Sequence, residues 1–439
     1  MSVNGKRGAL EVWGGFECSV VRVRDDLRDQ LRETGHHDRL SDIEAVAGLG
    51  LRRLRTCAAW ERVAPHDPDI CDWTWQDARM LELRRHGIAP ILGLVHHGSG
   101  PAYTNLDDPD FPAKLARYAG QVARRYPWVT DWTPVNEPLT TARFSGLYGF
   151  WYPHAESEAA FLRMLANQCH GAVLAMQAIR EVIPGARLVQ TEDLGRTFHT
   201  PPMRALADQH NERRWLSFDL VLGRVDAAHP WHARFLAAGV PAAALRALVE
   251  APPGPTLIGI NHYVTSDRFL DHRMGFYPAE IHEPSPAQGF IDTEAIRAGV
   301  PLEELGWLPR LRETWERYPG LPLAVTEVHL GCCPENQMRW LQDCWDAAVT
   351  LRAEGAAVEA VTIWSLAGSV DWSSLLTERR GDYEPGLLDG SVAGDARLTA
   401  LAEAVSALAR TGRMDHAALA ERGWWAQDGR LHAHLRLAG

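Results

Sequence analysis

The chain has 439 residues, is 46% hydrophobic and 23% charged, and carries a formal net charge of −11. That composition supplies a large core and is not that of a disordered chain. The negative charge is dispersed rather than run into blocks, which argues against a nucleic-acid footprint or an anionic membrane surface and favours a neutral small-molecule partner. No window offers the ~20 uninterrupted apolar residues needed to cross a bilayer, and MSVNGKRGALEVW lacks the apolar core of a secretory signal, so the expected location is cytoplasmic. The seven cysteines (Cys18, Cys57, Cys71, Cys169, Cys332, Cys333, Cys344) are odd in number without a Cys-x-x-Cys pair. They read as mostly buried thiols rather than a disulfide frame or zinc site. His36-His37-Asp38 lacks metal-ligand spacing, and neither a metal nor a cofactor is expected.

In chain order, the first predicted strand is LEVWGGF (10–16), followed by Glu17. LRRLRT (51–56) ends with Arg55 and leads to Trp60, and APILGLVHH (89–97) ends with His96 and His97. Strand alternation turns these two histidines to opposite sides, with His97 toward the site and His96 away. A helix over 108–126 precedes VTDWTPVN (129–136), which delivers Asn136 and Glu137. The long helical period over 157–182 leads to ARLVQTE (186–192), with Gln190, Glu192 and Asp193 at its end. The last two either line the outer part of a site or cap the next helix.

TLIGINHY (256–263) carries Asn261, His262 and Tyr263, and the stretch 267–300, containing HEPSPAQGF, reads as a loop insertion. LPLAVTE (321–327) ends with Thr326 and Glu327, a helix covers 335–355, and AVTIWSL (360–366) carries Trp364 with Asp371 and Trp372 beyond. Eight strands alternating with helices predict an α/β fold, a (β/α)8 TIM barrel, with chemistry at the C-terminal strand ends. The barrel is expected over 1–410 as one catalytic domain with active-site loop insertions. Residues 411–439 no longer fit a βα unit and read as a tail packed through Trp424 and Trp425, or as a linker remnant.

The strand ends gather polar and aromatic side chains suited to a polyhydroxylated ligand, and 17 tryptophans supply flat surfaces for stacking on sugar rings. Glu137 and Glu327, ending strands four and seven, form a carboxylate pair. A glycosidic bond between them is open to cleavage by an acid and a nucleophile, and retention of configuration requires a separation of about 5 to 5.5 Å. The acid must hold its proton through an apolar or like-charged setting. The nucleophile must stay ionised, a task for Arg55, with Tyr263 donating a hydrogen bond to the same carboxylate.

These motifs resemble glycoside hydrolase family 1, the retaining β-glycosidases with acid and nucleophile on barrel strands four and seven, from about residue 9 to about 405. WTPVNEP is similar to the family's W-x-T-x-N-E-P, which implies Glu137 as acid/base and Asn136 at the sugar 2-hydroxyl. LRTCAAWERVAP resembles R-F-S-x-x-W-x-R-x-x-P and gives Arg55 the nucleophile-holding role; LVHHGSGP resembles L-x-H-W-D-x-P and makes His97 a sugar ligand. GINHY resembles G-x-N-Y-Y, placing Asn261 and Tyr263 near the nucleophile, and LAVTEVHLG resembles the I-T-E-N-G segment, with Glu327 as nucleophile. IWSLAGSVDW resembles W-S-L-x-D-N-F-E-W, implying Trp364 as the platform under the sugar and Asp371 and Trp372 as contacts to its far hydroxyls.

The departures from the family fall where the sugar is read. Val21 stands where the family has Gln, with Glu17 the nearest polar substitute. Asp371 replaces Glu and reaches ~1.5 Å less far, Gly98-Ser99 replaces Trp-Asp, and Val328-His329 replaces Asn-Gly. The resemblance implies a small-molecule glycoside or oligosaccharide substrate and a hydrolase acting by double displacement. It leaves open an altered carbohydrate-binding barrel or a transglycosidase serving sugar-nucleotide or polysaccharide metabolism, a homo-oligomer, and association with a sugar-modifying enzyme.

Overall fold

The computed structural model describes residues 8–251, 254–278, 289–391 and 394–432. Eight parallel strands close into a barrel: β1 (Glu11–Gly15), β2 (Arg53–Cys57), β3 (Ala89–His96), β4 (Asp131–Asn136), β5 (Arg187–Asp193), β6 (Thr256–Asn261), β7 (Leu323–Val328) and β8 (Val358–Ile363). Each pairs with its neighbours in sequence, and β8 pairs with β1 to close the ring. All eight lie where short apolar, β-prone runs predict them, because parallel strands covered on both faces read as apolar runs bounded by turns.

The helices include α1 (Ser41–Gly48), α2 (Thr74–Arg85), α3 (Phe111–Arg125), α4 (Pro138–Ala142), α5 (Glu158–Val182), α6 (Arg204–Arg213), α7 (Trp307–Arg317), α8 (Pro334–Glu354) and α9 (Ala400–Thr411), with further helical segments between them, among them Leu216–Val221, His232–Ala237 and Ala242–Glu250. In α3, Phe111, Leu115, Tyr118, Ala119, Val122 and Ala123 are buried at three- and four-residue spacing and pack on α5. Ser157 caps α5 by accepting from the Ala160 amide.

Inside the barrel, Trp13, Ile91, Val189, Leu257, Ala324 and Ala360 form an apolar layer. Below it a charged floor ties strands together: Asp131 on β4 accepts from Arg53 on β2 and from Arg187 on β5 at 2.8 Å, and Arg187 reaches Glu359 on β8 at 2.8 Å. The functional layer therefore lies at the opposite, C-terminal rim. Register shifts in β7 between Val325 and Glu327, and between β4 and β5 from Trp132 to Asn136, fall beside the two carboxylates, as bulges next to active sites commonly do.

The segment expected as a loop between 267 and 300 carries two strands, Arg268–Asp271 and Ile291–Glu294. They pair with each other and, through the first, with Thr197–His199. Residues 282–288 of HEPSPAQGF lie outside the described residues. In the tail, Trp425 is buried against Trp340 and donates to Asp343 at 2.9 Å, while Trp424 is half-buried. Cys18, Cys57, Cys169 and Cys344 are buried, Cys71 and Cys332 half-buried, Cys333 exposed, and all seven are free thiols. His36 is buried against Phe16 and pairs with Asp42 at 2.8 Å. Among the described residues, no helix is long and apolar enough to cross a membrane.

Candidate active site

Glu137 follows the last residue of β4 and is the N-cap of α4, with Pro138 in the first turn. Its backbone takes φ 45°, in the left-handed region. A non-glycine residue holds that conformation at a cost of roughly 1–3 kcal/mol, and such residues concentrate at functional sites. His97 (φ 57°) and Asp371 (φ 60°) share it. The turn brings the Glu137 carboxylate to Asn261, whose Nδ2 donates to Oε1, and to 3.7 Å from His97 Nε2. From β5, Glu192 holds the start of α4: it accepts from the amides of Leu139 and Thr140 at 2.8 and 3.1 Å and from the Thr140 hydroxyl at 2.9 Å. Glu192 thus caps the preceding unit's helix rather than the next one.

Glu327, on β7, is braced from two sides. Arg55 Nη1 sits 2.8 Å from Oε1, and the Tyr263 hydroxyl donates to Oε2. The same guanidinium donates to the Thr326 carbonyl at 2.7 Å and to Asn136 Oδ1 at 2.6 Å, so it joins both carboxylate-bearing strands. Thr191 also donates to Asn136 Oδ1 at 2.8 Å. Asn261 pairs with Glu327 in backbone register, yet its side chain serves Glu137 and accepts from Thr326.

Burial, and then the charge of Glu327, push the Glu137 carboxyl well above the usual range. Burial also raises Glu327, but Arg55 and Tyr263 pull against it. The proton of the pair therefore rests on Glu137 and the charge on Glu327. Both nearby histidines are neutral: burial, then Arg55, pushes His97 down to about 3, and burial, then His97 and Arg55, takes His96 well below its ordinary value. Their short distances to carboxylates are contacts of neutral rings, not ion pairs.

Trp364, joined to Ser365 by a cis peptide bond, is buried. The Arg55 guanidinium lies 4.8 Å over its ring, and its Nε1 donates to Glu17 Oε2 at 3.2 Å. A side chain at Gly15 would strike this indole, which accounts for a glycine there. Glu17 accepts further from the Ser19 amide and hydroxyl at 3.0 and 2.6 Å. Burial, then Glu327, raises its carboxyl to about 7. Trp372 packs edge-on against His97 and Trp151, and among the described residues its Nε1 has no hydrogen-bond partner.

The expectation that His96 turns away is overturned. Its ring lies parallel to Trp364 at 5.5 Å, and its Nε2 meets Asn136 Nδ2 at 3.1 Å and stands 3.6 Å from Glu17. Alternation fails because His97 leaves the strand in the left-handed conformation, which lets both rings face the carboxylates.

No family model matches the chain. Among characterised proteins it is 25% identical to a bifunctional β-D-glucosidase/β-D-fucosidase of Bifidobacterium breve, over 85% of this chain and 88% of that one. It is 22% identical to a coniferin β-glucosidase of Pinus contorta, over 84% and 82% respectively. A family 1 β-glucosidase of Thermotoga maritima superposes with a TM-score of 0.73 at 16% identity, covering 94% of this chain and 100% of that one. The fold is that of the family 1 β-glucosidases.

Against that family's motifs, the departures acquire physical causes. At Gly98 a side chain would collide with the Glu61 carboxylate and the Val20 carbonyl, so Glu61 holds space that the family's Trp would need. Val21 is buried with Trp151 and Leu376, a position for packing rather than hydrogen bonding. His329 meets the Trp364 carbonyl at 3.1 Å and Glu384 at 3.0 Å, bracing the platform from behind. Asp371 is tied to Arg28 at 2.8 Å through one oxygen and to the Asp382 amide at 2.8 Å through the other. Arg28 and Thr191 were not singled out by the motifs, whereas Thr326 and His96 stand within them beside Glu327 and His97 without an assigned role.

Proposed function

We propose that the chain is a retaining β-glycosidase with Glu137 as acid/base and Glu327 as nucleophile. The observation that carries this reading is the division of labour in the pair. Glu137 keeps its proton through burial and the facing charge, while Glu327 is held by Arg55 and Tyr263. In the first step the Glu137 proton passes to the glycosidic oxygen as a Glu327 oxygen attacks the anomeric carbon. The C–O bond breaks, the aglycone leaves as an alcohol, and a glycosyl ester forms on Glu327. In the second, Glu137, now a carboxylate, takes a proton from water. That water attacks the anomeric carbon and frees Glu327, so two inversions give retention.

Trp364 is the platform beneath the sugar, with His97, Asn136 and Trp372 Nε1, which has no partner among the described residues, as hydroxyl partners and Glu17 as the polar group on the β1 side. Asn261 orients Glu137. Asp371 reads a far hydroxyl only with lone pairs left over from Arg28 and the Asp382 amide. Residues 1–410 form the catalytic unit, with the tail braced on α8 through Trp425. The β-glucosidases among its relatives make aryl β-glucosides the first substrates to try. Glu327→Gly is expected to abolish their hydrolysis, and azide to restore turnover by entering the space freed on the α face and displacing the aglycone with inversion, giving the α-glycosyl azide. Failure of rescue, with an active wild type, would sink the nucleophile assignment.

A further inference from the structure

Directly past α4 the chain forms a π-helical turn, Arg143–Leu147, six residues beyond the acid. Arg143 lies over the Phe144 and Tyr148 rings at 5.9 and 5.6 Å. From α6, Arg213, only 8% exposed, lies 5.9 Å over Phe161. Both guanidinium groups act on the Tyr148 phenol, pulling it below its ordinary value against its burial. Among the described residues, neither arginine forms an ion pair with a carboxylate, and Arg143 Nε is buried without a hydrogen-bond partner.

The nearest opposite charges are engaged elsewhere: Asp193 accepts from Ser266, and Asp292 pairs with Arg268 at 2.8 Å. His210, pushed down to about 3 by burial and then by Arg213 and Arg143, adds no charge. Arg143 begins the turn that directly follows α4, the helix Glu137 caps, and at Gly146 that turn packs closely on Phe161, the residue whose ring lies under Arg213, so the two arginines flank one turn on the acid's side of the barrel rim. On the glycosidase reading, the acid marks the leaving-group side of the bond. Arg213 is buried and Arg143 half-buried with its Nε out of reach of water; cations withdrawn from water without a carboxylate partner are costly unless something anionic joins them, and a pair of guanidinium forks suits a carboxylate or phosphate.

We propose that Arg143 and Arg213, with Tyr148, form an oxyanion-binding aglycone subsite, so that the preferred substrate is a β-glycoside whose leaving group carries a carboxylate or phosphate. This rests on the glycosidase reading, and the test separates the two. The matched pair is the β-glucoside of 4-hydroxybenzoate and that of its methyl ester, with phenyl phosphate as a competing phosphate arm. The wild type is expected to show a KM for the acid about tenfold or more below that for the ester. That preference should shrink as salt rises and fall toward one in Arg143→Gln and Arg213→Gln, with Arg213→Lys retaining part of it. Equal KM values for acid and ester overturn the subsite and leave the glycosidase standing. If neither glucoside is cleaved, the glycosidase reading fails, and binding decides the subsite. A melting temperature raised by 4-hydroxybenzoate or phenyl phosphate but not by the methyl ester supports it, and equal responses overturn it.

Discussion

Arg55 is the residue on which the site's charge balance turns, because one buried guanidinium serves the Glu327 carboxylate, the Thr326 carbonyl and the Asn136 amide at once. Arg55→Met removes all three and lets burial raise Glu327 unopposed, so steady-state kinetics should show kcat/KM lowered about 100-fold or more. A loss below tenfold would remove Arg55 from that role. The pair also sets the pH profile. As pH falls, Glu327 takes up a proton and the nucleophile is lost; as pH rises through the raised value of Glu137, the acid is lost. Activity is therefore expected to be bell-shaped. The alkaline limb should vanish in Glu137→Gln when the substrate has a leaving group that needs no protonation; a limb that persists there belongs to another group.

At the scale of elements, α4 is a short helix whose first residues follow a strained acid, and its support comes from the adjacent strand. Glu192, wholly buried, is the acceptor for two amides and one hydroxyl at its start. Glu192→Ala leaves these donors without a partner at about 1–3 kcal/mol each. Denaturant unfolding is expected to show a loss of roughly 2–5 kcal/mol, with kcat falling as Glu137 loses its position. Glu192→Gln, which keeps an acceptor oxygen, should lose less. If both variants unfold at the wild-type midpoint, α4 does not depend on this cap.

For the molecule as a whole, buried carboxyl groups make stability depend on pH in an uncommon direction. Glu17, Glu61 and Glu192 are each raised from 4.5 to about 7, burial being the largest cause in all three. The folded chain therefore holds protons that the unfolded chain releases between those values. The stability from these groups is full below pH 4.5 and is lost as pH climbs toward 7, by roughly 3 kcal/mol per group. Glu61, which has one buried oxygen without a partner among the described residues, is the cleanest probe. Glu61→Gln is expected to flatten the fall in melting temperature between pH 5 and 8, and a curve parallel to the wild type would contradict the linkage.

The eight strands were legible because each is a short apolar run ending at a polar residue, and closing them into one ring requires no information beyond their order. Glu137, Glu327 and Arg55 were legible because a barrel carries its strand ends to one rim, so residues remote in sequence become neighbours by topology alone. His96 was misread because alternation holds only while the backbone stays extended, and His97 does not. The filling of the Gly98 space by Glu61, the backward cap of Glu192 on α4, the engagement of Asp371 by Arg28 and the meeting of Arg143 with Arg213 depend on contacts between different βα units. Sequence fixes which chemistry each strand end can offer, since that follows from local pattern. Tertiary structure decided which of those groups remain free for a ligand, because partners drawn from segments distant in sequence compete for the same hydrogen bonds and charges.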